Sequence, residues 1–414
     1  MIRLNSARHL RTLGAIVAFS LLLANLAACG GGGGSTSTNT SPIKIGYTVS
    51  LTGDFSADGK AIQQGYQLWA DTVNAHGGLL GRKVQLVSLD DASNPDQVTT
   101  DYQKLITVDK VDLTFGPFST LLTKPASVVA HRYGYALPEG AGGGPSVFQQ
   151  GLNNVFDVSL PVANNLVSFA QWILSLPAAQ RPQTAAYATE DDPFTQPQVD
   201  LARQMLEQGG VHTSYYKVYA AETTDFTPIA QGVIASGAQV CVFGTLLPDV
   251  TAFIQAFKQQ HFNPQALIAT AGPDQGSQFL TNVGGAQTAE GIFVPNGWYP
   301  ELNAPGNQAM VNAYIAKYGG TAADVSSDVP EAYSVGQVVQ QAVTQNNSLD
   351  NAKLIQTLHS ATFDSVQGKV KFDATGQNTM ATAYQFQWQS GKLIPVFPSS
   401  VAAAPPEFPK PKWP

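Results

Sequence analysis

Short apolar runs alternate with amphipathic stretches along most of the chain. Lys44–Leu51 reads as a first strand broken at Thr52-Gly53-Asp54. Ile62, Tyr66, Trp69 and Val73 then recur at helical spacing, and Gly77-Gly78 ends that helix. Lys83–Leu89 is a second strand, followed by a helix from Pro95 with Val98, Tyr102 and Leu105 on one face. Val111–Phe115 is a third strand that stops at Gly116-Pro117 and opens through Phe118-Ser119-Thr120 into another helix. Tyr133–Leu137 repeats the pattern and stops at Pro138 and a cluster of glycines. Strands alternating with helices predict βαβ units and parallel sheets.

A second block follows Pro161. A strand at 155–159 ends the first block at Pro161; in the second, strands are predicted at 184–189, 212–219, 239–245, 266–271 and 291–294, with helices at 164–176, 196–208, 226–236 and 250–260. Helices at 307–318 and 330–345 come next. Alternating strands at 368–373 and 384–389, with turns at Thr375-Gly376 and Ser390-Gly391, close the pattern. Pro405–Pro414 reads as a loose Pro-rich tail. A chain that builds one α/β block, then another, then returns predicts two lobes linked by several crossovers, with a pocket at their interface.

The first 28 residues stand apart from this pattern. Arg3, Arg8 and Arg11 precede the apolar run Ala15–Ala28, which is too short for a normal membrane span and ends Leu26-Ala27-Ala28-Cys29. This resembles a bacterial lipobox, which implies cleavage before Cys29 and lipidation of that cysteine. A plain secretory signal with a chance cysteine and an uncleaved anchor are the other readings. Residues 29–42 read as a flexible Gly/Ser/Thr tether, not a phosphate loop, because no strand follows and no Gly-Lys-Ser/Thr ending occurs. The expected location is the periplasm or cell surface, lipid-anchored through Cys29.

Removing 28 residues leaves 414 − 28 = 386, with a net charge of 19 − 29 = −10, since the leader carries three of the 22 basic residues and no acid. An acidic chain is a poor partner for nucleic acid. With Cys29 lipidated, Cys241 is the one thiol left, in the apolar run 239–243, where packing is its expected role. The six histidines have no metal-ligand spacing, and neither a Gly-x-Ser-x-Gly elbow nor a His-Glu-x-x-His motif occurs. No metal, no cofactor and no catalytic residue is expected. Glu190-Asp191-Asp192 could do acid–base work or form a solvated strand end.

Ser119 and Thr120 sit where hydroxyls at a strand end could hold an anion, or where they could cap the following helix. Gly142–Gly144 could admit a ligand to the backbone or form a plain loop. Asp274, Asp58 and Glu139 are acidic candidates with surface or capping alternatives. Trp298 and Tyr299 are expected to pack in the core or hinge.

The segments Ile43–Tyr47 with Leu51-Thr-Gly53, Val73–Gly81, Asp90-Asp91-Ala with Asn94-Pro95, and Gly116-Pro117 with Thr123–Ser127 carry a family resemblance. In this order and spacing they resemble the type I periplasmic solute-binding proteins of ABC transporters, in the leucine/isoleucine/valine-binding branch. The resemblance implies an α/β fold of two Rossmann-like lobes with parallel central sheets joined by three crossovers. The expected lobes are residues 43–161 plus 296–366 and 162–295 plus 367–398, followed by the tail 399–414. It implies no enzyme activity, a small carboxylate-bearing solute (an amino acid or a related or aromatic acid) and an ABC permease as partner, with the chain a monomer. A sensor component on the same fold and an exported α/β enzyme are the alternatives.

Carried over by position, the ligand hydroxyl falls on Thr120 with Ser119 beside it, and the backbone groups after the next strand on Ala141, Gly142 and Gly143. An aromatic falls on Phe194. A tyrosine-bearing loop falls on Leu246 and Leu247, so the tyrosine is gone. The acid that pairs with the ligand ammonium falls on Asp274, and a first-lobe aromatic on Asp58. The amino-acid binders usually place Thr where this chain has Gly143, so its absence argues against an ordinary branched-chain amino acid. Some relatives join the positions of Ser93 and Ser119 by a disulfide, which this chain cannot form. The glycine turn and Phe194 also resemble relatives that take aromatic or other carboxylates.

Overall fold

The computed structural model describes residues 40–414. The lipobox, Cys29 and most of the tether lie outside these residues. In the first lobe the order is β1 (Ile43–Val49), α1 (Ser56–Ala75), β2 (Val84–Asp90), α2 (Pro95–Thr107), β3 (Leu113–Thr114), α3 (Thr120–Arg132), β4 (Leu137–Glu139), α4 (Pro145–Phe148) and β5 (Val155–Asp157). β1 pairs in parallel with β2 and β3, and β4 with β5. Gly116 N–H donates to Pro138 C=O at 2.9 Å, which joins β3 to β4.

α2 shows why the local sequence folds as it does. The Asn94 side chain accepts from the amides of Asp96 and Gln97, Pro95 takes the first turn where its missing N–H does no harm, and Val98, Tyr102 and Leu105 turn inward.

The second lobe runs α5 (Val167–Ser175), β6 (Thr184–Glu190), α6 (Thr195–Gln208), β7 (His212–Tyr219), α7 (Thr227–Ala235), β8 (Val240–Gly244), α8 (Leu247–Gln259), β9 (Ala266–Ala269), α9 (Gly276–Val283), α10 (Ala286–Ala289) and β10 (Phe293–Asn296). Its sheet has the order β7-β6-β8-β9-β10-β13-β14, where β13 (Tyr384–Gln389) and β14 (Lys392–Phe397) form an antiparallel hairpin on the edge. Both sheet faces are covered, and residues alternate between them. Ala186, Ala188, Cys241 and Phe243 meet one helix layer, and Ala185, Tyr187, Val240 and Val242 the other. Cys241 is buried there, and burial pushes its thiol well above the usual range.

Between β10 and the hairpin the chain returns to the first lobe as α11 (Asn307–Tyr318), α12 (Asp328–Asn346), α13 (Asn351–Ser360), β11 (Phe363–Ser365) and β12 (Gly368–Val370). Val370 and Phe372 lie in the first-lobe core, so the last return to the large sheet falls after this pair rather than at residue 367. The tail also differs from expectation. Lys410 N–H donates to Gln265 C=O at 2.7 Å, Glu407 N–H to Gln387 Oε1 at 2.7 Å, and Phe408 meets Trp172 edge-on. Its prolines remove donors, but the remaining amides and aromatic rings dock it. Trp298 is buried, with Nε1 donating to Asn307 Oδ1 at 2.7 Å, a packing role as its position suggests.

No helix among the described residues is long and apolar enough to cross a membrane. In both sheets the first strand lies between the second and third, and the space outside the strand ends at such a reversal is where α/β sheets bind ligands.

Candidate ligand site

A cavity lies where the two lobes meet. Its apolar wall is Phe118 from the first lobe and Phe194 from the second, with ring centroids 5.2 Å apart, together with Leu160, Val162 and Pro295. Phe194 is held by Asp192, whose carboxylate accepts from the amides of Phe194 and Thr195 at 2.8 and 3.0 Å. Such a ring pair adds about 0.5–1.5 kcal/mol beyond the area it buries.

The polar wall is acidic. Asp58 stands in the first turn of α1, Asp328 begins α12, and Glu331 follows one turn on. Asp274 comes from the loop after β9. One oxygen from each of Asp58, Asp274 and Asp328 lies within 4.8 Å of the others. The side-chain amide of Gln275 sits among them, donating to Asp58 Oδ1 at 2.7 Å, Asp328 Oδ2 at 3.1 Å and, at 3.4 Å, Asp274 Oδ2. Ser327 Oγ donates to Asp274 Oδ2 across the same interface. Gln275 belongs to the second lobe and two of its acceptors to the first, so its amide bridges the cleft.

Glu331 lines the cavity, and its carboxyl makes no hydrogen bond among the described residues. The described residues lining the cavity include no Lys, Arg or His. Desolvation, then mutual repulsion, raises the acids above the usual carboxylate range: Asp58 and Glu331 well above it, Asp328 to about 7. Asp274 is also raised, chiefly by burial.

A second pair of carboxyls lies behind the glycine turn. Glu139 ends β4 and Asp157 ends β5, and both are buried. Glu139 Oε2 accepts from Gly142 N–H at 2.6 Å, and Asp157 Oδ1 from Ser159 N–H at 3.0 Å. Their other oxygens, Glu139 Oε1 and Asp157 Oδ2, have no hydrogen-bond partner among the described residues. Burial pushes Glu139 up to about 8, and burial with the neighbouring Glu139 holds Asp157 well above the usual range.

The residues singled out by sequence separate into three groups. Asp58, Ala141, Phe194 and Asp274 line the cavity. Ser119, Thr120, Gly142 and Gly143 are packed behind that wall. Thr120 Oγ1 accepts from Gly144 N–H at 3.1 Å, and Ser119 Oγ is buried without a hydrogen-bond partner among the described residues. Leu246 lies elsewhere, at a wider depression that holds Asp54, Glu190 and Asp249. Sequence reading passed over Asp328 and Glu331. Their signal was present as two acids at a helix start after Ser326-Ser327. The carboxyl trio could also hold a hard divalent cation by donor type, a set drawn from segments too far apart for motif spacing to reveal.

Residues 42–392 match the family model described as periplasmic binding protein, and the chain belongs to that family. Its members are solute-binding proteins rather than enzymes, and they work outside the cytoplasm. The chain is 27% identical over 354 residues to an amino acid binding protein of Pseudomonas aeruginosa, covering 84% of this chain and 90% of that one. It is 25% identical over 379 residues to Leu/Ile/Val-binding protein homolog 7 of Brucella melitensis, covering 88% and 93%. Among solved structures, LivJ of Streptococcus pneumoniae in complex with isoleucine superposes with a TM-score of 0.73 at 20% identity, covering 85% of this chain and 97% of that one. A solute-binding protein of R. palustris in complex with benzoate gives 0.75 at 18%, covering 89% and 98%. The expected fold of two lobes with parallel central sheets is the fold of these proteins.

Proposed function

We propose that this chain is the extracytoplasmic solute-binding component of an ABC importer, capturing a small solute between its lobes by hinge closure. The supporting observation is the cleft cavity itself, whose wall is supplied by both lobes and joined by the Gln275 bridge. A ligand that touches both walls favours the closed state by its extra contacts there. The named relatives, which include amino acid binding proteins and proteins solved with isoleucine and with benzoate, support a small organic solute and a membrane permease that receives it. Cys29 is the proposed lipid anchor, holding the binding domain near that permease through the Gly/Ser/Thr tether.

Native mass spectrometry of the chain purified without prior unfolding tests this reading. The expected result is a released small molecule that raises Tm when added back and lowers the radius of gyration in small-angle scattering. Catalytic turnover of that molecule would support the enzyme reading instead. For the anchor, Cys29→Ser is expected to abolish incorporation of an alkyne fatty acid and release the protein from the membrane fraction.

A further inference from the structure

We propose that the cleft takes a small organic cation, an amine or guanidine without a carboxylate, whose N–H donors replace the Gln275 amide among Asp58, Asp274 and Asp328. This rests on the solute-binding reading above and names the class of solute.

Three independent features carry it. The first is the composition of the cavity wall. Four carboxyls face the cavity and, among the described residues that line it, no basic side chain can receive a ligand's carboxylate. Glu331 lines the same cavity and adds an acceptor with no hydrogen bond among the described residues.

The second is the glycine turn. The resemblance places a ligand carboxylate on the Thr120 hydroxyl, with the backbone groups at 141–143 beside it, but here Thr120 is packed behind the wall and accepts from Gly144 N–H at 3.1 Å. Here Glu139 puts its own carboxyl on Gly142 N–H at 2.6 Å. That amide is taken by the protein, so a carboxylate added at the turn would meet Glu139 and Asp157, whose second oxygens already lack donors among the described residues.

The third is the Gln275 amide. It places an NH₂ group within 2.7 and 3.1 Å of two carboxylates, the geometry an ammonium or guanidinium would adopt with stronger, charge-assisted bonds. A divalent metal would have to displace the same amide and complete its shell with further oxygen ligands, so the metal chlorides are included among the probes below.

A second depression has the same charge character. The wider depression beside Leu246 is lined by Asp54, Glu190, Glu222 and Asp249, also without Lys, Arg or His among the described residues that form it. A cleft of one sign concentrates counter-charged solutes.

Calorimetry and thermal shift at fixed ionic strength test the proposal on the intact protein. The probes are 1,4-diaminobutane and 4-guanidinobutylamine, against isoleucine, benzoate and the chlorides of magnesium, calcium and manganese. The expected result is saturable binding of an amine or guanidine probe with a raised Tm. Glu331→Gln, which keeps the side-chain shape, is expected to weaken it roughly ten- to hundred-fold, as for loss of a charged hydrogen-bond acceptor. Circular dichroism checks that this variant folds. Saturation by isoleucine or benzoate with no response to the cations overturns the ligand class and leaves the solute-binding reading intact. Saturation by a metal chloride alone overturns the organic cation. Absence of saturable binding by every probe, with no small molecule carried on purification, defeats both readings.

Discussion

At position 143 a side chain has no room. A Cβ built there would lie 2.1 Å from Asp157 Oδ2 and 2.8 Å from Glu139 Oε1. The resemblance implies a threonine at this position in the amino-acid binders, and the space its side chain would need is occupied by two carboxyls. Gly143→Thr is therefore expected to destabilise the fold by about 1–3 kcal/mol through overpacking, measured as a lower denaturation midpoint. Combining it with Asp157→Ala should restore part of the loss, because the two changes share one space. Equal losses with and without Asp157 would place the clash elsewhere. The glycine was legible in the sequence, but what crowds it was not. Glu139 and Asp157 each read as ordinary strand-end acids, and their meeting depends on β4 and β5 pairing in register at Glu139↔Asp157.

The elements that build the acidic wall depend on how closely two helices approach. On α1 a Cβ at Gly65 would lie 2.3 Å from the Val329 carbonyl, and on α12 a Cβ at Gly336 would lie 2.1 Å from the Trp69 ring. These glycines let the helices pack at contact distance, which brings Asp58 and Asp328 onto one Gln275 amide. Gly65→Ala should separate the helix starts and destabilise the first lobe by about 1–3 kcal/mol. Chemical denaturation would reveal it as a lower midpoint with an unchanged slope. Gln275→Ala removes the bridge without touching either helix. Its expected outcome is a more open unliganded protein, seen as a larger radius of gyration by small-angle scattering. An unchanged radius would mean that Phe118 against Phe194 suffices to hold the lobes. The periodicity of α1 and α2 was readable because apolar spacing is a local property. Membership of β12 in the first lobe, and the docking of the tail on Gln265 and Trp172, were not, because each rests on contacts made far along the chain.

Across the whole molecule, the same carboxyls couple stability to pH. Glu139 and Glu190 are each pushed up to about 8 and Asp328 to about 7, all chiefly by burial. Each raised group holds a proton in the folded chain at a pH where the unfolded chain has released it. The unfolded state then binds fewer protons, so unfolding free energy falls as pH rises. The stabilisation is full below the usual carboxylate range of about 4 and is lost as pH passes through about 7 to 8. Thermal midpoints of the ligand-free protein should therefore decline from about pH 5 to pH 8, opposite in sign to a fold held by ionised salt-bridged acids. Glu139→Gln should flatten part of that decline, because the amide cannot ionise. Filling the cleft with a saturating cation should flatten it further, since the charge that ionisation creates then has a partner. A midpoint that rises between pH 5 and pH 8 in the empty protein would show that these acids are ionised in the folded state and paired with cations.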